Sequence, residues 1–448
     1  MPLVPVAADH PGSLAAELTR VAGREVVLVE VASEARRGAI SEADGHVFAA
    51  AADHARRAGL PLLGLLSSSG ADVHDGVAAL HGWGAAARAH SRCSGRVPVL
   101  LAATGPVVSG PALLLGLADH VVMTADAYAF VSGPRMVEQF TGEALAASEL
   151  GGAGPHAALT GVAALVVPDR DAALAALGDL LTYLPSHVDE EPPRWCTDDP
   201  VDRATPEAGA CLPSSPTGGY DVREVARAIV DDGELLELRA RWAPNLVTAL
   251  ASVGGRSIGV VANQPVSIAG TLDIAASQKG ARFVAFCDAM GLPLLTLVDT
   301  PGFYPGKDLE WRGMIRHGAQ LAFAYARATV PRVAVVLRKA YGGAYIVMDC
   351  RTMGSDLYLA WPTAEIAVMG AKGAVEILHR GVTDPHKRQE LEEAYDERFL
   401  NPYVAADRGA VDAVIDPADT RREVAAALDV LASKREHLPP RKHGNSPL

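Results

Sequence analysis

The chain repeats itself at an offset of 232 residues, a little over half of its length of 448. Two copies of one order of features must build two copies of one structural plan, so this periodicity limits the fold more than any other feature. Gly59-Leu60-Pro61-Leu62-Leu63 returns as Gly291-Leu292-Pro293-Leu294-Leu295, and Val97-Pro98 as Val330-Pro331. Ser109-Gly110 is answered by Gly342-Gly343, and Ala118 to Met123 by Ser355-Asp356-Leu357-Tyr358. From the Val-Pro step to the second residue of the small pair is 13 positions in both copies. Each copy reads as strand, loop, amphipathic helix, strand, Gly-rich turn, helix and strand, the alternation of an α/β protein. Val97–Leu101 and Val333–Leu337 are short, apolar and β-branched, like buried parallel strands. Pro192–Gly219, rich in Pro, Asp, Thr and Ser, reads as a linker, so the expected domains are 1–215 and 216–448. The competing reading is one large α/β domain with accidental internal similarity.

Composition narrows the function. The length suits two domains of about 200 residues each, and the net charge of −13 argues against nucleic acid or a membrane surface as partner, since both need a cationic face. Five cysteines are scattered without a C-x-x-C pair, so neither a disulfide framework nor a metal site is expected. With no signal-peptide order and no apolar run of ~18 residues, the expectation is a soluble, cytoplasmic protein without a membrane span.

The segment VAVVLRKAYGGAYIVM (Val333–Met348) places Gly342-Gly343-Ala344 after a buried strand and before a helix-forming run. Glycines let backbone N–H groups approach a ligand, and a helix start leaves those groups unpaired. Such a turn can be an oxyanion hole, or simply a tight packing turn. Asp299-Thr300-Pro301-Gly302 hints at a GTPase switch, but no G-x-x-x-x-G-K-[ST] loop accompanies it, and a strand-end turn is the better reading. Lys279 and Arg282, one helical turn apart, read as a solvated helix face, with the phosphates of a ligand as the alternative partner. His317 and His379 read as polar packing or surface groups.

Longer stretches carry a resemblance. VGGRSIGVVANQP (Val253–Pro265), LDIAASQKGARFVAFCDA (Leu272–Ala289), VDTPGFYPG (Val298–Gly306), IRHGAQLAFAYARATVP (Ile315–Pro331), RKAYGGAYIVM (Arg338–Met348), AWPTAEIAVMGAKGAV (Ala360–Val375) and the KHGNSPL ending resemble the carboxyltransferase β subunits of biotin-dependent acetyl- and propionyl-CoA carboxylases. The resemblance implies an α/β fold of two tandem crotonase-like (ββα-spiral) domains and an enzyme that moves a carboxyl group from carboxybiotin to the α-carbon of an acyl-CoA. Gly343 and Ala344 match the family's backbone donors to the biotin ureido oxygen. Gly342 and Tyr345 then flank the biotin site, and Ile346 falls at a position tied to acyl-chain preference. The freed biotin acts as the base, so no Ser-His-Asp or Cys-His constellation is required.

The first half follows the same family more loosely, through FVSGP (Phe130–Pro134), GEALAASELGGA (Gly142–Ala153) and LLTYLP (Leu180–Pro185). Where the family's thioester-side loop ends in Gly-Gly, this chain has Ser109-Gly110, which the resemblance assigns as donors to the thioester enolate. The family's D-S-G-G-A-R reads Ser67-Ser68-Ser69-Gly70-Ala71-Asp72, with an Arg replaced by an Asp, and its G-G-S-L-G reads Arg37-Gly38-Ala39-Ile40-Ser41. Roughly the first 70 residues usual in the family have no counterpart.

The chain has no A-M-K-M biotin-attachment motif and no ATP-binding signature. Biotin is therefore expected on a separate biotin carboxyl carrier component, served by a separate biotin carboxylase. The family further implies an oligomer, a hexamer by expectation, formed with copies of itself or with related chains. Two rival readings stay open: a biotin-independent decarboxylase of malonyl-type thioesters, and a non-catalytic paralogue within a mixed ring.

Overall fold

The structure is a computed structural model that describes residues 12–31, 33–34, 36–215, 217–440 and 442–447. The chain divides into two compact units, one running to Pro193 together with Arg239–Trp242, the other comprising Arg194–Leu238 and the chain from Ala243 onward. Each unit has its own mixed sheet and its own apolar core.

In the first unit the strands are β1 (Leu14–Val21), β2 (Arg24–Val31), β3 (Leu62–Ser68), β4 (Val99–Val108), β5 (His120–Thr124), β6 (Tyr128–Phe130) and β7 (Leu165–Val167). An antiparallel β1–β2 hairpin opens the sheet, β3, β4, β5 and β7 follow in order, and the short β6 pairs with β4. The second unit has β8 (Leu236–Glu237), β9 (Leu246–Val253), β10 (Arg256–Asn263), β11 (Leu294–Thr300), β12 (Arg332–Tyr341), β13 (Leu357–Ala360), β14 (Glu365–Ala367) and β15 (Ala413–Val414). With β8 set aside, its hairpin β9–β10, its parallel run β10 to β13 and β15, and its β14 paired with β12 reproduce the first sheet strand for strand.

The repeat extends to irregularities. Between β3 and β4 the register jumps from Leu66↔Ala103 to Ser68↔Val107, and between β11 and β12 from Val298↔Val336 to Thr300↔Ala340. Both jumps insert the same bulge at equivalent places, bending the strand that leads into each small-residue turn. Helix starts correspond too: Ser41 accepts from Asp44 N–H in a capping box before Glu42–Ala58, and Asp273 caps Ile274–Ala289 through Ala276 N–H. Glycine permits close helix packing in the first unit, where a Cβ on Gly45 would lie 2.1 Å from the backbone of Gly82. The helices Glu42–Ala58 and Val77–Ser91 therefore meet backbone to backbone.

The units divide earlier than the expected boundary near 215. Residues 194–215 hold one short helix, Pro206–Ala210, and otherwise run as turns and extended chain, in keeping with their Pro- and Ser-rich composition, and their side chains and turns anchor them to the second unit. Trp195 bonds Gly255 O through its backbone and Ser257 Oγ through its indole. The buried guanidinium of Arg421 donates to Pro200 O, Ile229 O and Asp231. No helix among the described residues is long and apolar enough to cross a membrane.

Candidate active site

β12 ends at Tyr341 and the chain turns at once into helix Gly342–Val347. Gly342 has φ 58°, and a Cβ there would lie 3.1 Å from Val368 O, so only glycine makes this turn without strain. At Gly343 a Cβ would lie 3.2 Å from the Phe303 ring, and Ala344 is buried. The N–H groups of Gly342, Gly343 and Ala344 occupy the helix's first turn, where no intrahelical acceptor exists, and that of Tyr345 is the first to have one. Tyr345 packs edge-on against Tyr358, and burial pushes its hydroxyl up to about 12, while Ile346 is exposed beside it.

A buried polar cluster holds the bulge beneath this turn. Asp299, at the end of β11, accepts from Tyr220 Oη at 2.8 Å, Arg338 Nε at 3.0 Å and Lys339 N–H at 3.1 Å. Arg338 also donates to Gly218 O and lies over the Tyr220 ring. The side chains of Asp299, Arg338 and Tyr220 are at most 8% exposed. Burial raises the Asp299 carboxyl from its ordinary range, against the opposing pull of Arg338, Tyr220 and Lys339. A carboxylate with three donors at a strand's end fixes where that strand bends. The DTPG motif thus serves as the strand-end support, and sequence reading had not connected it to Arg338 or Tyr220.

The first turn is built differently. Ser109 adopts the left-handed φ 64° and its N–H is bonded to Phe130 O at 2.9 Å. The residue after Gly110 is Pro111, which has no N–H to give. Gly110 N–H is therefore the donor this turn can offer, and the indole of Trp83 packs against its Cα, 3.1 Å from where a Cβ would stand. A second strand-end loop lies alongside. Ile40 pairs with Ala71 in a parallel bridge that uses Gly70 O and Asp72 N–H, leaving Ala71 N–H on the opposite edge. The second unit repeats this with Leu272 and Phe303, using Gly302 O and Tyr304 N–H.

The Arg-to-Asp replacement at position 72 is compensated in space. Asp72 is buried, accepts from His74 N–H, and pairs with Arg36 at 2.9 Å. The His74 bond and the Arg36 cation hold its carboxyl below the usual range. Lys279, expected on a solvated face, is buried instead and its Nζ donates to Ala243 O, because its helix turns that position toward the sheet. Arg282 is exposed, as expected of that face. His317 packs between Gln278 and Gln320, and His379 is exposed. Among the described residues no group of three or more His, Cys, Asp or Glu could hold a metal ion.

Two sheets with matching bulges and paired turns find their counterpart in known proteins. The family described as carboxyl transferase domain matches residues 10–446. The chain belongs to that family. It is 44% identical over 446 residues to the propionyl-CoA carboxylase β chain of Saccharopolyspora erythraea, covering 96% of this chain and 82% of that one. It is also 41% identical over 418 residues to the methylmalonyl-CoA decarboxylase subunit α of Propionigenium modestum, covering 92% and 81%. The crystal structure of the transcarboxylase 12S hexamer with hydrolysed methylmalonyl-coenzyme A superposes with a TM-score of 0.95 at 43% identity, over 97% of this chain and 85% of that one. As a carboxyl transferase of the acyl-CoA carboxylase β-subunit kind, the chain is an enzyme with two crotonase-like domains.

Proposed function

We propose that the chain transfers a carboxyl group from carboxybiotin, delivered on a partner's carrier component, to the α-carbon of an acyl-CoA. The observation that carries this reading is the Gly342–Ala344 turn, whose N–H groups lack an intrahelical acceptor and stand on the buried Asp299 support. Carboxybiotin arrives as a substrate and supplies the carboxyl group. Its ureido ring is uncharged, which suits a site of backbone donors without a side-chain charge. Gly343 and Ala344 stabilise the negative charge that grows on the ureido oxygen, with Gly342 and Tyr345 shaping the site. On the thioester side Gly110 N–H, displayed by the left-handed Ser109, meets the enolate oxygen. Each donor of this kind is worth roughly 100- to 1000-fold in rate. Ile346, exposed beside the first turn of its helix, faces the acyl group and tunes chain preference.

The exposed apolar residues Trp311 and Ile315 in the second unit, and Phe140 in the first, are surfaces for an oligomer, by expectation a hexamer. A biotin carboxylase component recharges the carrier. Incubating the purified chain with carboxybiotin-loaded carrier and a panel of acyl-CoAs should give carboxylated thioester; absence of product from every acyl-CoA would sink the proposal. The decarboxylase named among the relatives motivates a second reading. Release of carbon dioxide from methylmalonyl-CoA without any biotin protein would favour it.

A further inference from the structure

The repeat supplies an internal control for how each small-residue turn is anchored. In the first unit β4 begins at Val99 and runs to the turn at Ser109, and helix Gly110–Leu117 brings the chain back. Val99 N–H donates to the Asp119 carboxylate at 2.9 Å, and Asp119 N–H donates to Val99 O at 2.9 Å. Only Ala118 separates the helix from that tie. The second unit keeps the tie at the same place: Arg332 N–H donates to the Asp356 carboxylate at 2.8 Å, and Asp356 N–H to Arg332 O at 3.0 Å. Its helix, however, spans six residues where the other spans eight, and residues 348–355 intervene before Asp356. The helix Gly342–Val347 is thus cut off from the anchor that holds its counterpart.

A buried ion pair takes over. Just past the helix, Asp349 turns left-handed at φ 59°, a conformation that few residues other than glycine adopt, Asp among them. Its Oδ1 accepts from Arg332 Nη1 at 2.6 Å. The same guanidinium donates to Tyr325 O at 2.8 Å and to Gly354 O, so residues 349–354 wrap around it. Arg332 is 3% exposed and Asp349 fully buried, whereas the first unit has the uncharged Val99 in the place of Arg332. Asp349 Oδ2 and the buried Tyr358 Oη have no hydrogen-bond partner among the described residues, and the Tyr358 ring stands edge-on to Tyr345 of the helix. A buried pair that leaves polar atoms unsatisfied contributes little net stability. Its value lies in the geometry it sets. β12 and the helix are two arms with the Gly342 turn at their apex, and the pair joins the open ends.

We infer that Arg332 and Asp349 are positioning residues: by joining the start of β12 to the end of helix Gly342–Val347, they set the angle at which the Gly343 and Ala344 N–H groups meet the ureido oxygen. The inference rests on the proposed assignment of this turn to carboxybiotin. Neither side chain touches the substrate. Their effect passes through the direction of the donors, where a misplacement of about 1 Å can cost about 100-fold in rate.

Hydrogen exchange on the full chain, run beside carboxyl-transfer kinetics, tests this. Asp349→Gly keeps the left-handed backbone and removes the carboxylate. The double variant Arg332→Val, Asp349→Gly places the first unit's residue at the strand start and strands no charge. In both, the amides of Ile346, Val347 and Met348 should exchange about tenfold faster while those of β10 and β11 keep their protection. The kcat for transfer should fall about 10- to 100-fold with KM for the acyl-CoA unchanged. Asp349→Asn, which tolerates the same backbone and keeps an acceptor for Arg332, should recover most of the loss. Unchanged exchange at the helix in the double variant overturns the inference, and so does a loosening there that spreads equally to β10 and β11, the mark of a merely structural pair. A wild-type chain that transfers no carboxyl group removes the proposed function, and the exchange comparison still decides whether the pair holds the helix.

Discussion

The two small-residue turns stand on the same bulge but are held in different ways. Under Gly342–Ala344 the bulge is tied by Asp299, Arg338 and Tyr220. Under Ser109–Gly110 the equivalent positions are Ser67 and Gly105, and a Cβ on Gly105 would already stand 2.5 Å from Ser67 Oγ, so no long side chain can enter. One strand geometry is thus kept by a buried ion pair in one unit and by close packing in the other. The backbone plan is fixed by the sheet, and the means of support is free to diverge.

Removing one partner of a buried pair should break the comparison most visibly. Arg338→Met leaves the Asp299 carboxylate buried beside Tyr220 without its cation and should cost about 3–5 kcal/mol, read by urea unfolding, with carboxyl transfer falling alongside. Ser67→Ala in the first unit should cost about 1 kcal/mol. Equal losses would show that the ion pair gives no special support.

Acid should separate the units with opposite sign. In the first unit His90 is buried against Phe48 with neither ring nitrogen bonded, and burial lowers it to about 4. The unfolded chain takes up that proton first, so this contribution is full above about pH 6.5 and is lost as pH falls toward 4, up to about 3 kcal/mol. In the second unit burial raises Asp349 to about 7 despite its pairing with Arg332. Its contribution is full below the ordinary carboxylate range and is lost as pH rises toward 7. Hydrogen exchange at pH 7.5 and pH 5 should show the core strands of the first unit opening more readily in acid and those of the second less readily. His90→Phe should flatten the first trend, and Asp349→Asn the second. Trends of one sign in both units would refute the assignment.

A smaller effect is expected at the exposed Ile346. Ile346→Asp should change the ratio of kcat/KM between propionyl-CoA and a longer acyl-CoA by about tenfold, with stability unaltered. An unchanged ratio would remove this residue from the acyl site.

Much of this organisation is legible in the sequence because a repeat with matched spacing constrains strand order directly. The Gly-Gly-Ala turn is readable for the same reason, since glycine at a strand-to-helix junction signals backbone geometry. What escapes sequence reading depends on partners distant along the chain. Arg36 neutralises Asp72 from 36 residues away, so the Arg-to-Asp change looks like a lost cation until the loop is folded. Tyr220 reaches Asp299 across 79 residues. Lys279 shares its helix with exposed positions, and only the helix's rotation against the sheet reveals that its amine points inward. Ser109 resembles a donor in sequence, but its N–H is consumed by β6.

The close-packed support beneath Ser109 and Gly110 has a practical consequence for redesign. Because no buried charge stands at Ser67 or Gly105, loop residues around the acceptor turn, apart from Arg36 and its buried partner Asp72, can be exchanged one at a time without stranding an ion in the core. Directed evolution toward new acyl thioesters should therefore find tolerant positions in the first unit, while the carboxyl-donor unit is best left as a fixed chassis.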